Sequence, residues 1–161
     1  MRAGRDVMKP AVETNEDVDR RVRVALYDGL VRIGSMGSAA ELAAELHTDV
    51  PVVMESFARL GASRAIVLEP DDPSRVRMAN PFSAIPTPFA VTAAGRDWWG
   101  NCIWDSLGIA ACLGTDATIR CSCGDCDQAM RVDIRDGRVE GSGLIHFGVP
   151  ARHWWDDIIY T

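Results

Sequence analysis

The sequence predicts an α+β chain in two parts: a winged-helix-like domain of three helices, then a small, mainly antiparallel sheet packed on a central helix. Three observations carry that prediction. Apolar residues recur with a helical period as far as Leu60, prolines crowd the stretch NPFSAIPTP at residues 80–88, and beyond Gly114 the period changes to two.

Residues 1–15 have no apolar period and are expected to be a mobile N-terminal segment. The first helix is expected over Glu16–Ile33, with Val18, Val22, Ala25, Leu26, Gly29, Leu30 and Ile33 on one face and Gly34 as its stop. Ser38 and Glu41 form a capping-box signature that opens a short second helix through Leu46, followed by a turn at His47–Asp49. A third helix follows to Gly61, with Pro51 in its first turn, where a missing N–H does no harm. Arg64–Glu69 and Arg75–Ala79, separated by Pro-Asp-Asp-Pro-Ser, read as a two-stranded wing that closes a domain over residues 16–80.

Asn80–Pro88 reads as a linker unfit for a helix or a central strand, and the second domain spans residues 81–161. In it Phe89–Thr92 is a strand candidate and Gly95–Asp97 a turn. Asp97 caps a central helix that runs to Leu113, with Gly100 inside it. Ala117–Cys121 and Ala129–Ile134 are expected to pair as antiparallel strands across Ser122–Gln128. An Asp136-Gly137 hairpin turn leads to Val139–Glu140, a strand over Leu144–Phe147 follows, and Trp154, Trp155, Ile158 and Ile159 cover the sheet.

A net charge of −6 and a pI near 5.0 disfavour nucleic acid and anionic membrane surfaces as partners, since both demand clustered positive charge. The third helix would offer a DNA groove Asp49, Glu55 and a single arginine, Arg59, so a DNA-reading role is disfavoured despite the winged-helix pattern. No apolar run approaches the length of a membrane span, and the first ten residues lack the apolar core of a secretory signal. Five cysteines crowded into residues 102–126 are the wrong pattern for a secreted disulfide framework. Reduced thiols and a cytoplasmic setting are expected.

Chemistry concentrates where the cysteines do. On a helix from Trp98 to Leu113, Trp98, Cys102, Asp105, Ile109 and Cys112 would share one face and set a carboxylate one turn from a thiol. A thiolate is a nucleophile and soft-metal ligand, and a carboxyl in an apolar pocket can hold or pass a proton. The alternative is a buried cysteine beside an aspartate bonded to backbone. Cys121, Cys123 and Cys126 form a second cluster that could hold zinc or another soft metal, but a structural zinc wants four ligands and no second CxxC is present.

The strings Phe89-Ala90-Val91, Trp99-Gly-Asn-Cys102-Ile-Trp-Asp105-Ser-Leu and Ala110-Ala111-Cys-Leu-Gly114 resemble the core of the organomercurial (alkylmercury) lyases. The resemblance runs from about Val18 to Trp155 and is strongest around Cys102. It implies protonolysis of a carbon–mercury bond, with Cys102 as the first capturing thiolate, Asp105 as proton relay and no cofactor. It also implies an N-terminal winged-helix-like domain that does not bind DNA. Trp99, Ser142 and His146 join Cys102 as substrate-contacting candidates, the substrate being a small organometallic molecule. The family's second catalytic cysteine precedes a segment that corresponds to Ile145-His146-Phe147; here those positions read Gly141-Ser142-Gly143-Leu144. A serine oxygen is a hard ligand and does not replace a thiolate on mercury. Either Cys121, Cys123 or Cys126 supplies the second sulfur, or the fold serves another use: a non-catalytic soft-metal sensor or store, or a winged-helix regulator with a thiol sensor.

Overall fold

The computed structural model describes residues 13–159 and divides the chain at Ala79/Asn80 into two units. In the first, α1 (Asn15–Ile33) begins with a capping box in which the Thr14 hydroxyl and the Asp17 carboxylate satisfy each other's backbone N–H groups. The helix thus starts one residue earlier than its apolar period suggests, and Thr14 and Asn15 belong to it. Glu13, just before the cap, pairs with Arg21 of the helix, and residues 1–12 of the expected mobile segment lie outside the described residues. Val22, Ala25, Leu26, Gly29 and Leu30 are buried as the period requires, whereas Ile33 at the last turn is exposed. Gly34 ends the helix with φ 80°, a left-handed conformation suited to glycine.

Ser38 and Glu41 cap α2 (Ala39–Glu45) reciprocally, and α3 (Val50–Ala62) buries Val53, Phe57 and Leu60. Arg59 grips Asp19 of α1 through two nitrogens, Nη2 at 2.8 Å and Nε at 3.0 Å. The pairing holds the Asp19 carboxyl below its usual range and raises the Arg59 guanidinium, so the arginine ties α3 to α1. β1 (Val67–Glu69) pairs antiparallel with β2 (Asp72–Ala79) across a two-residue turn at Pro70-Asp71. The turn is tighter than the five residues expected, because Asp72 and Pro73 enter the strand in exposed positions.

In the second unit the proline-rich stretch is not wholly irregular. Phe82–Ser83 form a short strand, β3, and Phe82 bridges Gly100. Pro81 precedes this strand and Pro86 and Pro88 follow it, so none of the three removes a donor from it. The main sheet is antiparallel throughout, in the order β5-β4-β6-β7-β8: β4 (Ala90–Ala93), β5 (Arg96–Trp99), β6 (Ala117–Ser122), β7 (Ala129–Arg135) and β8 (Arg138–Glu140). Its two faces separate by chemistry. Val91, Ala93, Trp98, Ala117, Ile119 and Ile134 are buried on one face, and α4 (Ile103–Leu113) packs there against β4 and β6. The other face is a polar ladder in which Thr92 meets Asp97 and Arg120, while Asp133 accepts from Thr118, Arg131 and Arg135. That surround holds Asp133 far below the usual carboxylate range.

Two expectations fail here. Asp97–Gly100 is not helical: Asp97, Trp98 and Trp99 lie in β5, joined to β4 by a two-residue turn at Ala94 (φ 52°) and Gly95 (φ 71°). Positive φ at both turn positions matches the right-handed twist of the flanking strands. Leu144–Phe147 forms no strand; after Gly141 (φ 159°) and Gly143 (φ 136°) the chain runs on without ladder pairing. No described helix is long and apolar enough to cross a membrane.

Candidate functional site

The site begins where β5 turns into α4. Trp98 is anchored by its indole N–H to Ala93 O at 3.0 Å and by its ring on Phe82, centroids 5.5 Å apart. Gly100 is buried, and its N–H donates to Phe89 O at 3.0 Å. A Cβ on Gly100 would stand 2.3 Å from Ser106 Oγ and 2.9 Å from Ser106 N, so the first turn of α4 rests directly on this glycine. Ser106, fully buried, donates both its hydroxyl (2.9 Å) and its backbone N–H (3.0 Å) to Cys102 O.

Cys102, in extended backbone, is thereby the N-cap of α4, the place that Asp97 was expected to take. Its Sγ accepts the N–H of Asp105 at 3.4 Å. Oxygen-bearing side chains are the usual caps, and a thiol is a weak substitute. The helix end and the Asp105 N–H favour a thiolate, but burial outweighs them, and with the Asp105 charge it pushes the Cys102 thiol up. Burial also raises the Asp105 carboxyl, opposed by the hydrogen bond from Asn101 Nδ2 at 3.0 Å. The same Nδ2 reaches Asn80 Oδ1 at 3.3 Å, while Asn101 Oδ1 is buried with no partner. Thiol and carboxyl therefore stand one turn apart, each biased toward holding its proton.

The expected stripe along the helix is only partly real. Ile109 is buried and Cys102 and Asp105 are half-buried, but Cys112 is exposed and Trp98 lies outside the helix. Trp99 is half-buried at the end of β5.

The sheet register adds a second thiol. Ala90 pairs with both Trp99 and Arg120, so the end of the sheet where the chain enters α4 is also the end of β6 that carries Cys121. Cys121 is two residues past the fully buried Ile119 and so shares the face that carries α4. It is half-buried, and burial raises its thiol, assisted by Cys123. Cys123 and Cys126 lie in the turn beyond, where Cys123 N–H donates to Gln128 O at 2.8 Å and Asp127 N–H to Cys123 O at 2.9 Å. Among the described residues no three His, Cys, Asp or Glu side chains group to hold a metal ion.

The segment after β8 crosses the same face. Gly141 lies against Val132, and a Cβ on Gly143 would come within 3.1 Å of Met130 Cε, Met130 being the strand partner of Cys121. Farther on, Phe147 sets its ring edge on Trp104 in the first turn of α4 (6.3 Å) and packs on Trp154 (5.3 Å), whose indole donates to Val149 O. Ser142 and His146 are exposed on this segment. Sequence reasoning missed Asn101, whose only signal is its place four residues before Asp105, and the Trp104–Phe147–Trp154 cluster, whose members are far apart in the chain.

Residues 82–161 match the family model for alkylmercury lyase, MerB. Among solved structures, the mercury-bound form of MerB2 shares the fold with a TM-score of 0.62 at 21% identity, over 78% of this chain and 59% of that one. The chain thus spans about three fifths of that protein's length. A search of curated proteins gave no match. It is through residues 82–161, the part of the chain that carries Cys102 and Asp105, that the chain matches the alkylmercury lyase family.

Proposed function

We propose that this protein cleaves carbon–mercury bonds by protonolysis, with Cys102 capturing the metal and Asp105 delivering the proton. The observation that carries the reading is the pairing at the head of α4: Cys102 Sγ accepts the Asp105 N–H at 3.4 Å, and burial raises both the thiol and the carboxyl, making the carboxylate a better proton acceptor than an exposed one. A soft organomercury cation binds sulfur far better than a proton does, so its arrival displaces the Cys102 proton, which the raised Asp105 carboxylate can accept. The protonated carboxyl then gives that proton to the carbon bound to mercury. The electron pair of the C–Hg bond becomes the C–H bond, the hydrocarbon leaves, and the metal stays on sulfur as Hg(II). No redox step or cofactor is needed.

Cleavage leaves a cation that wants a second soft ligand, and the position that holds a cysteine elsewhere in the family is Ser142 here. The half-buried Cys121, on the α4 face at the same end of the sheet, is the thiol best placed to supply it. The exposed Trp104 and Phe147 offer an apolar platform for the organic group beside the helix start. Asn101 positions the Asp105 carboxyl, and its unpartnered oxygen gives the pocket one further acceptor.

The N-terminal unit, with its winged-helix-like sequence of helices and hairpin, is read as a packing module and not as a DNA reader. Its third helix commits Arg59 to Asp19 and leaves no basic face. The five cysteines are all free thiols, which suits a reducing, cytoplasmic setting.

The test is release of arene from an arylmercury compound in the presence of a monothiol. Wild type should turn over, Cys102→Ser should abolish release, and Asp105→Asn should bind the mercurial while turning over roughly 10²–10⁴-fold more slowly, the range for loss of a positioned acid. A wild type that releases no arene overturns the lyase reading.

A further inference from the structure

The polar face of the five-stranded sheet holds an arginine that the ladder leaves without a counter-ion. Side chains alternate along a strand, so Trp99, two residues from Asp97, lies on this face, and Trp98 is buried on the other. Ala90 pairs with Trp99 on one side and with Arg120 on the other, and Arg120 pairs with Arg131. One row across the sheet therefore reads Trp99, Ala90, Arg120, Arg131. We propose that this row binds a small aromatic carboxylate, its oxygens on the Arg120 guanidinium and its ring against the Trp99 indole, above Ala90.

Two other arginines show how a carboxylate is held in this chain. Arg131 grips Asp133 through Nε at 2.8 Å and Nη2 at 2.9 Å, and Arg59 grips Asp19 through the same two nitrogens at 3.0 and 2.8 Å. That side-on fork matches the two oxygens of a carboxylate. Arg120 presents the same fork empty-handed. Its Nη1 donates to Thr92 Oγ1 at 3.1 Å, and Thr92 donates to Asp97 Oδ1 at 2.7 Å, so a neutral hydroxyl whose own proton is committed anchors the guanidinium. Among the described residues Arg120 Nε and Nη2 have no partner. Asp133 is taken up by Arg131, Arg135 and Thr118. Like charges directly opposite on neighbouring strands repel, and of this pair only Arg131 has a counter-ion. A bound carboxylate supplies the one that Arg120 lacks.

The neighbours set the rest of the ligand. Trp99 is half-buried, and among the described residues its ring meets no other ring or cation and its indole N–H no acceptor. Adjacent strands stand about 4.8 Å apart, so Trp99 and Arg120 flank Ala90 at a separation of about 10 Å, room for one benzene ring and its carboxylate. Ala90 contributes only a methyl group to the floor between them. The row is on the face away from α4, so the site goes beyond the lyase reading and does not rest on it.

The experiment titrates benzoate into the full chain at constant ionic strength and mildly acidic pH, where arginine Nε–H exchange is slow. The Trp99 indole N–H and the Arg120 Nε–H are read by NMR, each assigned by substitution. Both signals should shift together and saturate. Benzamide, which keeps the ring and loses the charge, and acetate, which keeps the charge and loses the ring, should each bind at least about 10-fold more weakly. Inorganic phosphate should not displace benzoate. Arg120→Gln and Arg120→Lys should both weaken binding by about 10-fold or more, since lysine keeps the charge but not the fork. Trp99→Leu should weaken it as well, and Arg138→Gln should leave it unchanged. Shifts that do not saturate, benzamide or acetate binding as tightly as benzoate, or an Arg120→Lys protein that binds as wild type does, overturns the site. The ligand series uses wild type alone and so decides the matter even where a substitution disturbs the sheet. No mercurial is present, and the outcome is separate from that of the arene-release assay.

Discussion

Gly100→Ala gives opposite results depending on how the chain enters α4. Were Gly100 inside a helix from Asp97 to Leu113, alanine would raise stability by up to about 1 kcal/mol, because glycine costs that much in a helix interior. In the structure Gly100 lies between β5 and the helix, and the added carbon would meet Ser106 Oγ at 2.3 Å, Ser106 N at 2.9 Å and Cys102 O at 3.1 Å. The hydroxyl could rotate, but two of these atoms are backbone, and Ser106 is fully buried with its donors committed to Cys102 O. The first turn must therefore move, at the cost of about 1–3 kcal/mol typical of overpacking. All five tryptophans stand at residues 98–155, so fluorescence in urea reports on the C-terminal unit alone. With an m-value of about 1–3 kcal/mol/M, the midpoint should fall by on the order of 1 M. The shift should carry Cys102 with it and slow mercurial capture. An unchanged or higher midpoint would refute the placement of the helix start.

Two further outcomes concern titration. Limited iodoacetamide treatment at neutral pH should label Cys123 first and Cys102 and Cys121 last, read by peptide mass mapping, since turn donors favour one thiolate while burial disfavours the other two; equal labelling of these three thiols would contradict the site. Because burial raises the folded-state value of Asp105, its contribution to stability is fully present below the unfolded value and is lost as pH rises through the folded one. Asp105→Asn should accordingly unfold at higher urea than wild type near pH 7.5, with the advantage shrinking toward pH 4, and an advantage independent of pH would show that charge burial is not its cause.

How far the sequence carried this reading follows from which signals are local. The capping box at Ser38 and Glu41, the stop at Gly34 and the Asp136-Gly137 turn depend on residues within four positions of one another, and each appears as expected. The start of α4 differs from the expectation because Trp98, Cys102, Asp105, Ile109 and Cys112 satisfy a helical period by coincidence of two structures: β5 supplies the first residue, the helix cap the second and the helix the rest. The competing signal was Ala94-Gly95, a hairpin turn whose force comes from β4 pairing with β5, which no window centred on the helix contains. The strand expected at Leu144–Phe147 failed for a related reason. Its apolar residues serve an aromatic contact with Trp104 and Trp154 and not a ladder.

The Cys102–Asp105 pair survived that error because three residues along a helix set thiol and carboxyl together whether Cys102 is an interior residue or a cap. Its chemistry did change. As an interior residue Cys102 would bury its sulfur against the sheet and leave no backbone donor for it. As the N-cap it faces the free N–H groups of the first turn, and the donor that reaches it belongs to the residue proposed to pass the proton. The proposed mechanism thus refers metal capture and proton delivery to a single turn of backbone. A ligand that pulls on Cys102 Sγ also acts on the position of Asp105 through its N–H, and on the proposed mechanism the second sulfur comes to that turn from across the sheet. Register decides which thiol can do so: an even step from Ile119 puts Cys121 on the α4 face, whereas an odd step would put it among the arginines and aspartates of the polar ladder. That parity cannot be read from the spacing of the cysteines, since C-x-C-x-x-C has the same appearance in either register.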